Sequence, residues 1–132
     1  MGPKYLIDTC IVIKYLGDVL PPPAISFMDA LVDSDSKVSF ITKIELLVWN
    51  PPIAEDNKIR EEFLAGSEIH YANDEIINGA IQIRKATHIK LPDAIIAATA
   101  IHNDYILLST NDHDFNKVIP IGLKYMNPET DF

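Results

Sequence analysis

Leu91-Pro92-Asp93-Ala94-Ile95-Ile96-Ala97-Ala98-Thr99-Ala100-Ile101 is the stretch that decides the fold. A proline in the first turn costs a helix nothing, because the N–H it lacks would have no partner there. From Ala94 onward the residues are apolar almost all round, which predicts a buried helix and not one with a wet face. Directly beyond, residues 105–109 form a continuous apolar run, the pattern of a strand covered on both sides. Thr110-Asn111-Asp112-His113-Asp114-Phe115 then reads as a turn into a short helix, and residues 123–126 as a last strand.

Working back toward the N-terminus, the same alternation recurs. Residues 4–7 read as a short buried strand ending at Asp8, and residues 10–16 as a buried helix stopped by Gly17. Pro23 suits the start of a helix that carries Ile25, Met28, Leu31 and Val32 on one face. Residues 38–41 predict a second strand. Thr42 then opens a helix bearing Glu45, Leu46 and Trp49, which Pro51-Pro52 must end. Residues 53–65 form a surface helix with a narrow stripe of Ile59, Phe63 and Leu64, and residues 68–71 a short strand. Asn73 caps a helix whose Ile76, Ile77, Ala80, Ile83 and Ala86 share a face. Strands alternating with helices of this length require crossovers, and so predict an α/β fold with a mostly parallel central sheet flanked by helices on both faces.

The 132 residues suit a single domain spanning 1–132. A hydrophobic fraction of 48 % supplies one core, and no apolar run nears the ~20 residues that span a bilayer. The start of the chain lacks signal-peptide and myristoylation patterns, and its one cysteine, Cys10, allows no internal disulfide; a reducing cytoplasm is the expected location. The net charge of −8 argues against nucleic acid as a partner, unless several carboxylates gather around divalent cations that reverse the local field.

Their positions favour that exception. Ligands of open parallel sheets bind beyond the carboxyl ends of the strands. Asp8 ends the first strand, Glu45 follows the second by one helical turn, Asp112 and Asp114 follow the strand 105–109, and Asp93 opens the helix that feeds it. Carboxylates brought together raise one another's pKa unless a cation joins them, and Mg²⁺ or Mn²⁺ are the hard ions that oxygen donors suit. Such a site hydrolyses phosphodiesters without a His, Ser or Cys nucleophile. Taken singly, each acid has a plainer reading: Glu45 in a capping box with Thr42, Asp93 at a helix dipole, Asp112 and Asp114 as turn residues. Asp8 resists one, because an unpaired charge between Leu6-Ile7 and Ile11-Val12-Ile13 is costly. His70, His88, His102 and His113 lack metal-ligand spacing, and Cys10 reads as buried and inert. Trp49 reads as a core residue.

Leu6-Ile7-Asp8-Thr9, Thr42-x-x-Glu45-Leu46, Leu91-Pro92-Asp93-Ala94-Ile95-Ile96-Ala97-Ala98 and Leu108-Ser109-Thr110-Asn111-Asp112-x-Asp114-Phe115 resemble, in order and spacing, the four motifs of PIN domains. The chain length is similar to that of the ribonuclease toxins of VapBC-type toxin–antitoxin pairs. The resemblance implies a Mg²⁺- or Mn²⁺-dependent endoribonuclease, dimeric, and inhibited by a small antitoxin that covers the acidic site. It implies Asp8, Glu45, Asp93 and Asp112 as catalytic metal-holding acids, Asp114 as a further ligand, and Thr9 and Thr110 as hydrogen-bonding supports for carboxylates or water. With only two arginines, Arg60 and Arg84, the chain's candidates for contacting RNA phosphates are Lys14, Lys43 and Lys90. A PIN nuclease in RNA processing, and a catalytically idle PIN fold acting as a binding module, are the alternatives; four filled acidic positions argue against the idle fold.

Overall fold

Leu6 and Leu107 pack into one apolar cluster and Ile7 and Leu108 into another, so the two neighbouring strands each send alternate side chains to opposite faces of the sheet. The computed structural model describes residues 2–48 and 52–132. Its elements run β1 (Tyr5–Ile7), α1 (Thr9–Leu16), α2 (Pro22–Asp35), β2 (Lys37–Ser39), α3 (Phe40–Val48), α4 (Ala54–Ala65) and β3 (Glu68–His70). Then follow α5 (Asp74–Thr87), α6 (Leu91–His102), β4 (Ile106–Leu108), α7 (Asp112–Phe115), a 3-10 turn (Ile119–Ile121) and β5 (Lys124–Met126). The expected α/β architecture is present, and every strand pairing among the described residues is parallel.

The sheet is formed in two pieces, β1-β4-β5 and β2-β3, with β1 lying beside β2. Tyr5, Leu6 and Ile7 stand opposite Ile106, Leu107 and Leu108, and this register brings the ends of β1 and β4 level with each other. One face is covered by α5 and α6, through Ile76, Ala80 and Ile83 against Ala94, Ala97 and Ala98. The other is covered by the first four helices, through Ile11, Met28, Leu31, Leu46 and Phe63. Gly79 lets α5 and α6 approach closely: a Cβ there would stand 3.3 Å from that of Ala98.

Several expectations shift. The helix α3 opens at Phe40 and not at Thr42, because the Ser39 hydroxyl accepts the Ile41 N–H at 3.1 Å and starts the turn early. Thr42 is therefore buried inside the helix, Glu45 stands in its second turn, and the capping box does not form. In α4 the buried stripe is Arg60, Phe63 and Leu64, while Ile59 is exposed. In α5 the Asn73 cap holds, its Oδ1 accepting the Ile76 N–H at 2.8 Å. The inward stripe is Ile76, Ala80 and Ile83 alone; Ile77 faces outward with Ile81, and Ala86 is exposed, because each lies roughly a quarter turn or more around the helix from the middle of that seam. Trp49 lies outside the described residues. No helix among those described is long and apolar enough to cross a membrane.

Candidate active site

Asp8 continues β1 by one residue, its N–H donating to Leu108 O at 2.9 Å, and its side chain is 4 % exposed. Burial pushes this carboxyl above the usual carboxylate range. Hydrogen bonds from Ser109, Cys10 and the Thr9 N–H work against that rise, and the negative charge of Glu45 adds to it. Ser109 Oγ donates to Asp8 Oδ2 at 2.7 Å, and Cys10 Sγ donates to the same oxygen at 3.2 Å. Asp8 is thus a buried acid whose hydrogen-bond donors are all neutral.

Glu45 arrives from α3. The Thr9 hydroxyl lies 2.7 Å from Glu45 Oε1 and 2.9 Å from the Thr42 hydroxyl; its one proton goes to the carboxylate. Asp93, in the first turn of α6, has its pKa pushed up to about 6. Burial is the largest cause, followed by the charges of Asp8, Asp114 and Glu45, while Lys90 opposes them. Four acids from four elements therefore share one electrostatic environment. Asp8, Thr9, Cys10, Ile13, Glu45, Asp93 and Asn111 line an open cleft of about 210 Å³.

The α7 turn divides its two acids. Asn111 Nδ2 donates to Asp114 Oδ2 at 3.1 Å, and Asn111 lines the cleft. Asp112 Oδ1 instead accepts from the Tyr125 hydroxyl and from Asn127 Nδ2 at 3.0 Å, both on the C-terminal segment. Thr110 sits against the thiol, its N–H and hydroxyl both meeting Cys10 Sγ at 3.4 Å. Cys10 is partly buried and sits among polar groups of the site. Its thiol contacts Asp8, Ser109 and Thr110, and burial and the charge of Asp8 push its pKa up. Of the candidate lysines, Lys90 acts on Asp93 and lowers its pKa. Lys14 is paired with Glu129 at 3.0 Å, and Lys43 lines a separate groove with Leu47 and Glu61.

Sequence reading missed Ser109, Asn111, Tyr125 and Asn127. Ser109 had a signal: it is the polar end of an otherwise apolar strand, level with a buried acid that needs a donor. Tyr125 and Asn127 had none, since only the parallel β4–β5 pairing brings them beside Asp112.

The donors facing the cleft are carboxylate and hydroxyl oxygens, and the one thiol is held in its neutral form, so the set fits a hard divalent cation and not a thiophilic one. Among the described residues no three His, Cys, Asp or Glu side chains stand close enough to enclose an ion unaided.

The sequence profile of the PIN domain matches residues 5–119. The chain belongs to the PIN-domain family. PIN domains are in general nucleases dependent on divalent metal. This PIN domain is similar in structure to a chain of the DNA-bound VapBC complex from Salmonella typhimurium, with TM-score 0.81 and 19 % identity over 96 % of this chain and 99 % of that one. It is also similar to VapBC-1 of nontypeable Haemophilus influenzae, with TM-score 0.76 and 21 % identity over 94 % and 97 %. The FitAcB structure from Neisseria gonorrhoeae gives TM-score 0.76 and 22 % identity over 94 % and 97 %. At these identities the likeness is one of fold. No curated protein sequence gives a significant match.

Proposed function

We propose that this PIN domain, taken as one unit over 1–132, is a Mg²⁺- or Mn²⁺-dependent endoribonuclease acting in the cytoplasm as the toxin of a toxin–antitoxin pair. The observation that carries the reading is the cleft lined by Asp8, Glu45 and Asp93, in which burial and the charges of Asp8, Asp114 and Glu45 push Asp93 up to about 6. Mutual repulsion of that kind is relieved by a cation, and perturbed acids in a cleft mark functional sites. The acids that would hold the ion are Asp8, Glu45 and Asp93, with a fourth from the α7 turn. When bound, such an ion lowers the pKa of a water and neutralises charge on the attacked phosphate. The chain's own part is orientation. Ser109 fixes Asp8, Thr9 fixes Glu45, and Lys90 supplies a positive charge at the rim where an RNA phosphate would enter.

Support for a protein inhibitor is twofold. The similar structures are of VapBC and FitAcB complexes. Beside the acidic cleft runs a groove between α1 and α4, lined by Ile13, Leu16 and Ile59 together with the charged Asp56 and Arg60, and Ile13 belongs to both. An antitoxin segment with an apolar face fits that groove and covers the acids. A second copy of the chain fits the outer face of α5, where Ile77 and Ile81 are exposed.

The test is cleavage of a mixed RNA pool by purified protein freed of inhibitor, with Mn²⁺ or Mg²⁺, with EDTA, and with Asp93→Asn. Cutting that needs metal and disappears in the variant supports the proposal. Wild-type protein that binds no divalent cation refutes it.

A further inference from the structure

We infer that Tyr71, backed by Phe40, is a base-stacking platform on the sheet edge that carries the acidic cleft, and that it holds an unpaired base of the RNA near the scissile phosphate. The inference rests on the metal-nuclease reading and adds a subsite to it.

Parallel strands deliver the residues just beyond them to one edge of the sheet. Asp8 is the first residue beyond β1, Phe40 the first beyond β2 and Tyr71 the first beyond β3. Because β3 pairs with β2 and β2 lies beside β1, Tyr71 stands two strand spacings from Asp8 along that edge. Phe40 is tied to the cleft through its own helix. Two residues on, the Thr42 hydroxyl lies 2.9 Å from that of Thr9, the donor to Glu45.

The rings of Phe40 and Tyr71 lie nearly parallel, with an interplanar angle of 17° and centroids 6.3 Å apart. That is an offset stack, which leaves much of each face uncovered. Phe40 is half-buried, whereas Tyr71 is 64 % exposed. The chain on either side of Tyr71 is pinned. His70 Nε2 lies 2.7 Å from Glu68 Oε2, and its ring meets that of Tyr105 edge-on. Two residues beyond Tyr71, Asn73 caps α5. A ring held in solvent on a short, pinned link is preorganised, so a base that lands on it costs little ordering entropy. Every base has a π-face, and stacking on aromatic side chains is a recurrent way of holding single strands. Lys43, three residues along α3 from Phe40, stands on the same side of that helix and adds a cation for the phosphate backbone. In a chain of net charge −8 the platform supplies an attraction for RNA that charge does not.

The test uses the full chain with Ca²⁺ in the cleft and follows binding by fluorescence anisotropy. One labelled probe is a random-sequence RNA of about 12 nucleotides, within the site sizes usual for single-strand binders. The other is a ribose-phosphate chain of the same length without bases. Tyr71→Ala should weaken binding of the RNA on the order of 10-fold, the loss that one stacked base entails. It should leave the affinity for the base-free chain unchanged and melt as wild type does, because the ring is exposed. Tyr71→Phe keeps the face and should bind the RNA within about 2-fold of wild type. Tyr71→Ala that binds the RNA as wild type does, or that loses as much affinity for the base-free chain, overturns the platform. So does a wild type that cuts RNA with Mn²⁺ yet binds it no better than the base-free chain, and in these cases the nuclease reading stands. A wild type that neither binds the RNA nor cuts it overturns the nuclease reading, and the platform falls with it.

Discussion

Ser109 Oγ donates to Asp8 Oδ2 across 2.7 Å, tying together the ends of two parallel strands whose residues lie 101 positions apart in the chain. Ser109 is fully buried and Asp8 nearly so, and of the hydrogen bonds that favour the ionised Asp8 this one acts most strongly. The serine is thus the support of the deepest acid in the cleft.

Ser109→Ala leaves Asp8 with the weaker thiol donor and the Thr9 N–H. A buried acceptor deprived of its donor costs about 1–3 kcal/mol, so urea unfolding at pH 7 should show a loss in that range. Mn²⁺ binding should also need a higher pH, because Asp8 then gives up its proton later. Unfolding and binding curves that match wild type would mean that Asp8 does not depend on Ser109.

The raised pKa of Asp93 gives the metal-free protein a stability that falls as pH rises. The sign follows from linkage. With a folded value of about 6 against the ordinary 3.8 of an unfolded chain, the folded state holds more protons between those values. Stability from this group is full below about pH 4 and is lost as pH climbs through 6. Asp8, also raised, contributes in the same direction. Asp93→Asn should flatten much of the slope between these values and melt higher than wild type at pH 7 without metal. Saturating Mn²⁺ should reverse the order. A variant with the wild-type slope would show that Asp93 does not titrate in this window.

Much of this was legible because apolar periodicity survives in so short a chain. The buried helix after Pro92, the strand preceding Ser109 and the Asn73 cap all rest on local rules that the fold obeys. The start of α3 was misread because Ser39, nominally a strand residue, supplies the first cap, and that depends on where β2 ends. Ile77 was misplaced because α5 has apolar residues on two faces, and only packing against α6 tells the inner from the outer. The acids' convergence followed from topology, but the split between Asp112 and Asp114 did not. It depends on Tyr125 and Asn127, which the β4–β5 pairing carries into place.

Cys10 should react slowly with thiol reagents at neutral pH. Burial and the charge of Asp8 both hold its proton on, and only the thiolate is nucleophilic. Asp8→Asn removes the charge, so the same reagent should modify Cys10 several-fold faster in this variant while circular dichroism stays unchanged. An unchanged rate would leave burial alone in control of the thiol.

The outer face of α5 carries Asp74, Ile77, Ile81 and Lys85 at helical spacing, with Ile77 48 % and Ile81 45 % exposed. An acid opens this stripe, a base closes it, and two isoleucines lie between. A second copy laid antiparallel across a two-fold axis would set each Asp74 against the partner's Lys85 and each Ile77 near the partner's Ile81, the self-complementarity that a two-fold interface requires. Lys85→Glu would place two acids together at both ends of that contact. Because like charges facing across an interface cost several kcal/mol, self-association measured by sedimentation should weaken by on the order of 10-fold or more. Asp74→Lys should do the same with the opposite sign. The double variant, Asp74→Lys with Lys85→Glu, restores the pairing in reverse and should recover the wild-type association. Single variants that associate as wild type does would place the contact elsewhere. A double variant weaker than either single would show that Asp74 and Lys85 do not face each other.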